Sequence, residues 1–86
     1  MMTQAVWEDD ETNREVSLSI NYAVDSEGIT ITGVTPTRVF FPRQNRSVLV
    51  WTEKGQRLLM RQLRASGRLD EIRRGLEGEL LATAAG

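Results

Sequence analysis

Apolar residues along this chain follow two periods, and the switch between them separates a strand-forming part from a helix-forming part. From Arg14 onward, Val16, Leu18, Ile20, Tyr22 and Val24 alternate with Ser17, Ser19, Asn21 and Ala23. A period of two puts the apolar set on one face and the small polar set on the other, which predicts a half-buried antiparallel strand over 14–24. Asp25-Ser26-Glu27-Gly28 supplies turn chemistry, with Gly28 free to take the positive φ that other residues resist. The run Ile29-Thr30-Ile31-Thr32-Gly33-Val34 is rich in β-branched residues and predicts the returning strand. Gly33 marks a bulge or a close approach there, and Pro36, lacking a donor, is expected to end the pairing. Two short apolar runs, 38–41 and 47–51, flank the turn-like segment 42–46 and predict a second hairpin.

Beyond Trp51 the period lengthens. Thr52 suits an N-cap and Glu53 favours the positive end of a helix, predicted over 53–65 with Leu58, Leu59 and Leu63 on its buried side. Ser66-Gly67 interrupts it, because Gly is costly inside a helix and common just after one. Leu69, Ile72, Leu76 and Leu80 then recur at helical spacing and predict a second helix over 68–82. Gly75 and Gly78 weaken it by up to ~1 kcal/mol each and leave room for another surface to approach. Residues 83–86 are expected to fray. Residues 1–13 have no sustained period and carry the acidic run Glu8-Asp9-Asp10-Glu11, so they are expected to form a mobile tail with Val6 and Trp7 as a short docking point. The fold class that follows is α+β: a single domain over 14–82, with a small antiparallel sheet of three to four strands in two hairpins, followed by two C-terminal helices packed on one face.

Composition narrows the chemistry. The chain has 86 residues, enough for one domain with a modest core, and contains neither cysteine nor histidine. Disulfides and thiolate metal sites are excluded, and the commonest general base and metal ligand are missing. No apolar run approaches the ~18 residues of a membrane span, and the acidic N-terminus is unlike a secretory signal, so a cytoplasmic protein without a membrane partner is expected. The net charge of −1 conceals an asymmetry: a formal −6 over residues 1–36, where Arg14 is the one base, against +5 over 37–86. Either the two parts neutralise each other or one meets a charged partner.

The basic side is concentrated on the first predicted helix, where Arg57, Arg61 and Arg64 lie within about 60° of one another. Arg43, Arg46 and Lys54 extend this candidate polyanion or partner-binding patch if the preceding hairpin folds alongside. Such a face is open to three readings: plain solvation, phosphate or nucleic-acid binding by bidentate arginines, or docking of the acidic N-terminal segment from the same or a second copy. A pI near 5.4 weighs against nucleic acid. Exposed ion pairs are worth only ~0–1 kcal/mol each, so tail docking tunes affinity without holding the fold. No catalytic residue, metal ligand or cofactor is assigned. The acidic run lacks the spaced ligands, turn Gly and terminal Glu of a calcium loop, and no Ser or Thr has a histidine to activate it. Lys54, the sole lysine, invites a Schiff-base reading but is predicted in an exposed first turn, which does not suit it to that chemistry. Tyr22, Phe40, Phe41 and Trp51 could stack bases beside the arginines but are expected to supply the core, with room for one of them to be exposed at a partner surface.

Around Thr52 the residues Leu49, Thr52, Glu53, Lys54, Gly55, Leu58 and Leu59, preceded by the charged segment 43–46, resemble the wing strand and following helix of MarR-type winged-helix regulators. The resemblance covers about a quarter of the chain and implies a strand running directly into a capped helix. Residues 14–41 are strand-like, so no recognition helix precedes the wing, and the likeness is confined to the junction. The function expected is a non-enzymatic bacterial protein-interaction module, with a protein partner or a second copy as ligand. A homodimer would use the small-residue face of the second helix or an exposed strand edge. The alternative is a nucleic-acid-binding accessory protein using the Arg face.

Overall fold

The alternating segment from Arg14 forms an inner strand of a four-stranded antiparallel sheet. The computed structural model describes residues 1–85, with side chains through residue 80. Strands β1 (Met2–Asp9), β2 (Arg14–Asp25), β3 (Gly28–Phe41) and β4 (Arg46–Leu49) lie side by side in chain order, followed by helices α1 (Glu53–Ser66) and α2 (Arg68–Ala85). This is the expected α+β architecture. The frayed end expected at 83–86 lies outside the residues whose side chains are described.

One face of the sheet carries the core. Val16, Leu18 and Ile20 of β2 join Trp7 of β1 and Val39 of β3 beneath Leu59, Leu63 and Leu76 of the helices. Burying such side chains contributes roughly 1.5–3 kcal/mol each, which is the main term favouring the fold. The opposite face has small polar side chains on β2 (Ser17, Ser19, Asn21) and no helix over it.

Residues 1–13 are not a tail. Residues 2–9 form β1, registered continuously on β2 with Trp7 opposite Val16 and Asp9 opposite Arg14. The alternation is present but poor in hydrophobes: Thr3, Ala5 and Trp7 face the helices, and Trp7 alone supplies a large buried side chain. Arg14 secures the far end of this hairpin. Its Nε donates to Asp9 Oδ2 at 2.9 Å, its Nη2 donates to Gln62 Oε1 on α1 at 2.5 Å, and its guanidinium lies 5.6 Å from the Trp7 ring centroid. Both ion-pair partners are largely buried, with side chains 15% and 10% exposed. The acids therefore meet Arg14 and, at 3.9 Å from Asp10, Arg68, and not the arginine stripe of α1.

Partial burial pushes the Asp9 carboxyl up. Hydrogen bonds from Thr12 and Arg14, with the Arg14 charge, outweigh this and hold it below its ordinary value. A carboxyl depressed by folding contributes stability above its unfolded pKa of about 3.9 and loses it as pH falls through the lower folded value. Thermal melts should accordingly show this contribution intact at pH 5–7 and disappearing below about pH 4. The acid loss should be smaller in Asp9→Asn; an equal loss in both proteins would exclude Asp9 as its source.

β3 corrects the second expectation. Pro36 does not end a strand: β3 runs on to Phe41, with Pro36 buried opposite Leu18. The register shifts at Ser17/Leu18 and Asn21/Tyr22, leaving Thr37 and Thr32 as extra residues, so β3 carries two bulges. The missing donor is tolerated because β4 pairs only with Arg38–Phe41, and Pro36 lies on a stretch with a free edge.

The junction into α1 is as its residues suggest. Thr52 Oγ1 accepts from Gly55 N at 3.2 Å, and a Cβ on Gly55 would stand 3.0 Å from that hydroxyl, so glycine fits where a larger residue crowds the cap. Gly67, at φ 76°, closes α1 in the left-handed conformation and permits the turn into α2. Two side-chain expectations change. Leu58 is 54% exposed, since it lies about 100° around the helix from the buried Leu59. Among the aromatics, Trp7 is in the core, Tyr22, Phe40 and Phe41 are half-buried, and Trp51 is 83% exposed. Gly75 and Gly78 are exposed, and a Cβ added at either would meet nothing within 4 Å, so no described part of the chain uses the room they leave.

Candidate functional site

α1 is strongly amphipathic: Leu59 and Leu63 point into the core, and Arg57, Arg61 and Arg64 follow one another at helical spacing on a flank. Because β4 stops short, this flank does not overhang another strand. It overlooks an open groove of about 490 Å³ whose walls include Arg57, Arg61 and Arg64 and whose apolar surface comes from Val34 and Met60, with the buried Pro36 behind them. Thr35, whose side chain belongs to the other face of the sheet, also borders it, so the groove reaches the edge of β3. A neighbouring hollow of about 240 Å³ shares Val34, Met60 and Arg64 and adds Leu69 and Arg73.

The charges in this groove are unequal. Arg57 donates to Glu53 Oε1 at 3.0 Å, with both side chains at least three-quarters exposed, a pair worth at most ~1 kcal/mol. The side chains of Arg61, Arg64 and Arg73 make no hydrogen bond or ion pair among the described residues. Three cations thus stand beside a small apolar surface without an ion-pair partner among the described residues, the acid of the groove, Glu53, being engaged by Arg57. A guanidinium there offers fork-shaped donors to a carboxylate or phosphate, while the apolar surface offers burial to a neighbouring side chain.

The six residues expected to form one patch are divided by the fold. Arg57, Arg61 and Arg64 come together at the groove. Arg43 lies in the 3₁₀ turn Pro42–Gln44 and Arg46 opens β4, at the far end of β3, roughly 16 Å of strand beyond Pro36. Lys54 is exposed in the first turn of α1 and does not border the groove. Sequence reasoning misses Arg73 and the apolar residues of β3 and Met60, since helical spacing cannot relate Arg73 to Arg64 across the Gly67 turn. Trp51, expected in the core by its type, is instead displayed to solvent where the chain leaves the sheet. No helix among the described residues is long and apolar enough to cross a membrane. Comparison with protein-family models, with curated proteins and with solved structures finds no match.

Proposed function

We propose that the chain is a non-enzymatic, cytoplasmic protein-interaction module whose contact surface is the groove between α1 and β3. The observation that carries this is the set of cations without an ion-pair partner among the described residues, Arg61, Arg64 and Arg73, beside Val34 and Met60. The ligand that suits it is a protein segment presenting carboxylates next to an apolar side chain. Nucleic acid suits it less well, because Arg43 and Arg46 are displaced to the far turn and no continuous basic track follows the surface.

The test is a random-peptide selection against the wild-type chain, with each enriched peptide then measured on R61E/R64E and on R43A/R46A. The expected peptides are acidic. Their affinity should fall by at least about tenfold, equivalent to ~1.4 kcal/mol, on R61E/R64E and stay within about twofold on R43A/R46A. Peptides indifferent to R61E/R64E would remove the groove from the interaction. Salt-sensitive capture of a single-stranded oligonucleotide, abolished by the same pair and tighter than any peptide, would transfer the site to nucleic acid.

A further inference from the structure

The sheet has two free edges, β1 on one side and, on the other, the four-residue β4 with the part of β3 that β4 leaves uncovered, and they differ in kind. The exposed part of the β3 edge is interrupted by the bulge at Thr32 and by Pro36, devices that discourage strand addition. The β1 edge has neither. Its register on β2 runs from Met2 to Asp9 without a shift, it contains no proline or lysine, and β2 is its only strand neighbour. Met1 and Tyr22 exchange both of their backbone bonds, Tyr22 N to Met1 O at 2.9 Å and Met1 N to Tyr22 O at 3.0 Å. Antiparallel pairs alternate between bonded and non-bonded. Thr3, Ala5, Trp7 and Asp9 therefore point their N–H and C=O groups to β2, and Met2, Gln4, Val6 and Glu8 point theirs outward.

We propose that β1 pairs antiparallel with β1 of a second copy, joining two sheets into one of eight strands. The outward residues are all even-numbered, so a two-fold axis at Ala5 sets Met2 against Glu8 of the second copy and Gln4 against Val6 without conflict between faces. Every outward group from Met2 to Glu8 then finds a partner. The two Glu8 carboxylates fall at opposite ends, so no acid faces an acid, and the exposed Val6 (54%) and Met2 (65%) gain cross-strand neighbours. A β3-to-β3 pairing would instead bring two sets of uncompensated arginines together. The axis lies perpendicular to the sheet, so the arrangement is isologous and closes at two copies.

The experiment is sedimentation velocity of the full chain between about 10 μM and 500 μM, with amide exchange read at both ends. The expected result is a species of twice the 9.7 kDa chain mass at high concentration, with the amides of Gln4, Val6 and Glu8 exchanging at least about tenfold more slowly than in dilute solution. Val6→Pro removes an outward donor and spares the β2 ladder, so it should leave a monomer. Val6→Lys, which places like charges near the axis, gives the same answer if the proline variant does not fold. A chain that stays monomeric throughout would overturn the proposal. So would a dimer unaffected by both variants, or protection appearing at Ile29–Thr35 in place of Gln4–Glu8. R61E/R64E should dimerise normally, which separates this surface from the arginine groove.

Discussion

Replacing Trp7 with alanine should destabilise the domain by about 3–5 kcal/mol, a large part of the total expected for a chain of this size. The indole is 3% exposed, lies across from Val16 and carries the Arg14 guanidinium over its ring. Truncation removes the apolar area, leaves a cavity beneath α1 and α2, and deprives Arg14 of one of its three contacts. Urea melts should show the midpoint falling sharply, and thermal melts a loss of more than about 12 °C. Glu11→Ala, in the exposed loop between β1 and β2, should stay within ~0.5 kcal/mol. If the N-terminal segment were a mobile tail, both substitutions would be silent; that result would remove β1 from the fold.

Leu63→Ala should cost about 2–5 kcal/mol, with the upper half of that range expected because the residue is 0% exposed and surrounded by the core cluster. α1 is held to the sheet chiefly through Leu59 and Leu63, and α2 places only Leu76 fully inside among its described side chains. The helical layer thus depends on few anchors. Leu58→Ala, five positions earlier and 54% exposed, should change stability by less than about 1 kcal/mol. Equal effects of the two leucines in equilibrium denaturation would contradict the orientation of α1.

The elements that can be foreseen are those whose side chains obey one period throughout. β2 keeps its alternation from Val16 to Tyr22, and α1 has both its cap and its stop written as Thr52 and Gly67. β3 does not keep one. Its helix-facing residues are Ile29 and Ile31, then Val34 and Pro36, then Val39 and Phe41, so the spacing is two within each pair and three between pairs. Those threes suggest a strand end at Pro36 and a new strand at Arg38, whereas they are the bulges at Thr32 and Thr37. The same irregularity obscures the site. Arg57, Arg61 and Arg64 share a face by helical geometry alone, but their apolar neighbours Val34 and Pro36 come from the stretch of β3 that the broken period divides in two. Likewise β1 is hidden because a strand can be held by backbone pairing, one tryptophan and one ion pair, none of which makes a strong hydrophobic pattern.

The two bulges also say where this chain can change its length. Each is a single-residue insertion absorbed inside the sheet, and each shifts the face assignment of everything that follows until the next. The second insertion cancels the first: Val39 and Phe41 return to the odd-numbered phase of Ile29 and Ile31, as a second frameshift restores a reading frame. Removing Thr32 leaves every flanking pair with its present partner, because it has none of its own, whereas Thr37 is tied down by Val50 N donating to its carbonyl at 2.8 Å and by its hydroxyl donating to Ser17 O at 3.2 Å. Length variation is ordinarily confined to loops; in this fold, the Thr32 bulge opens a site inside its longest strand to it.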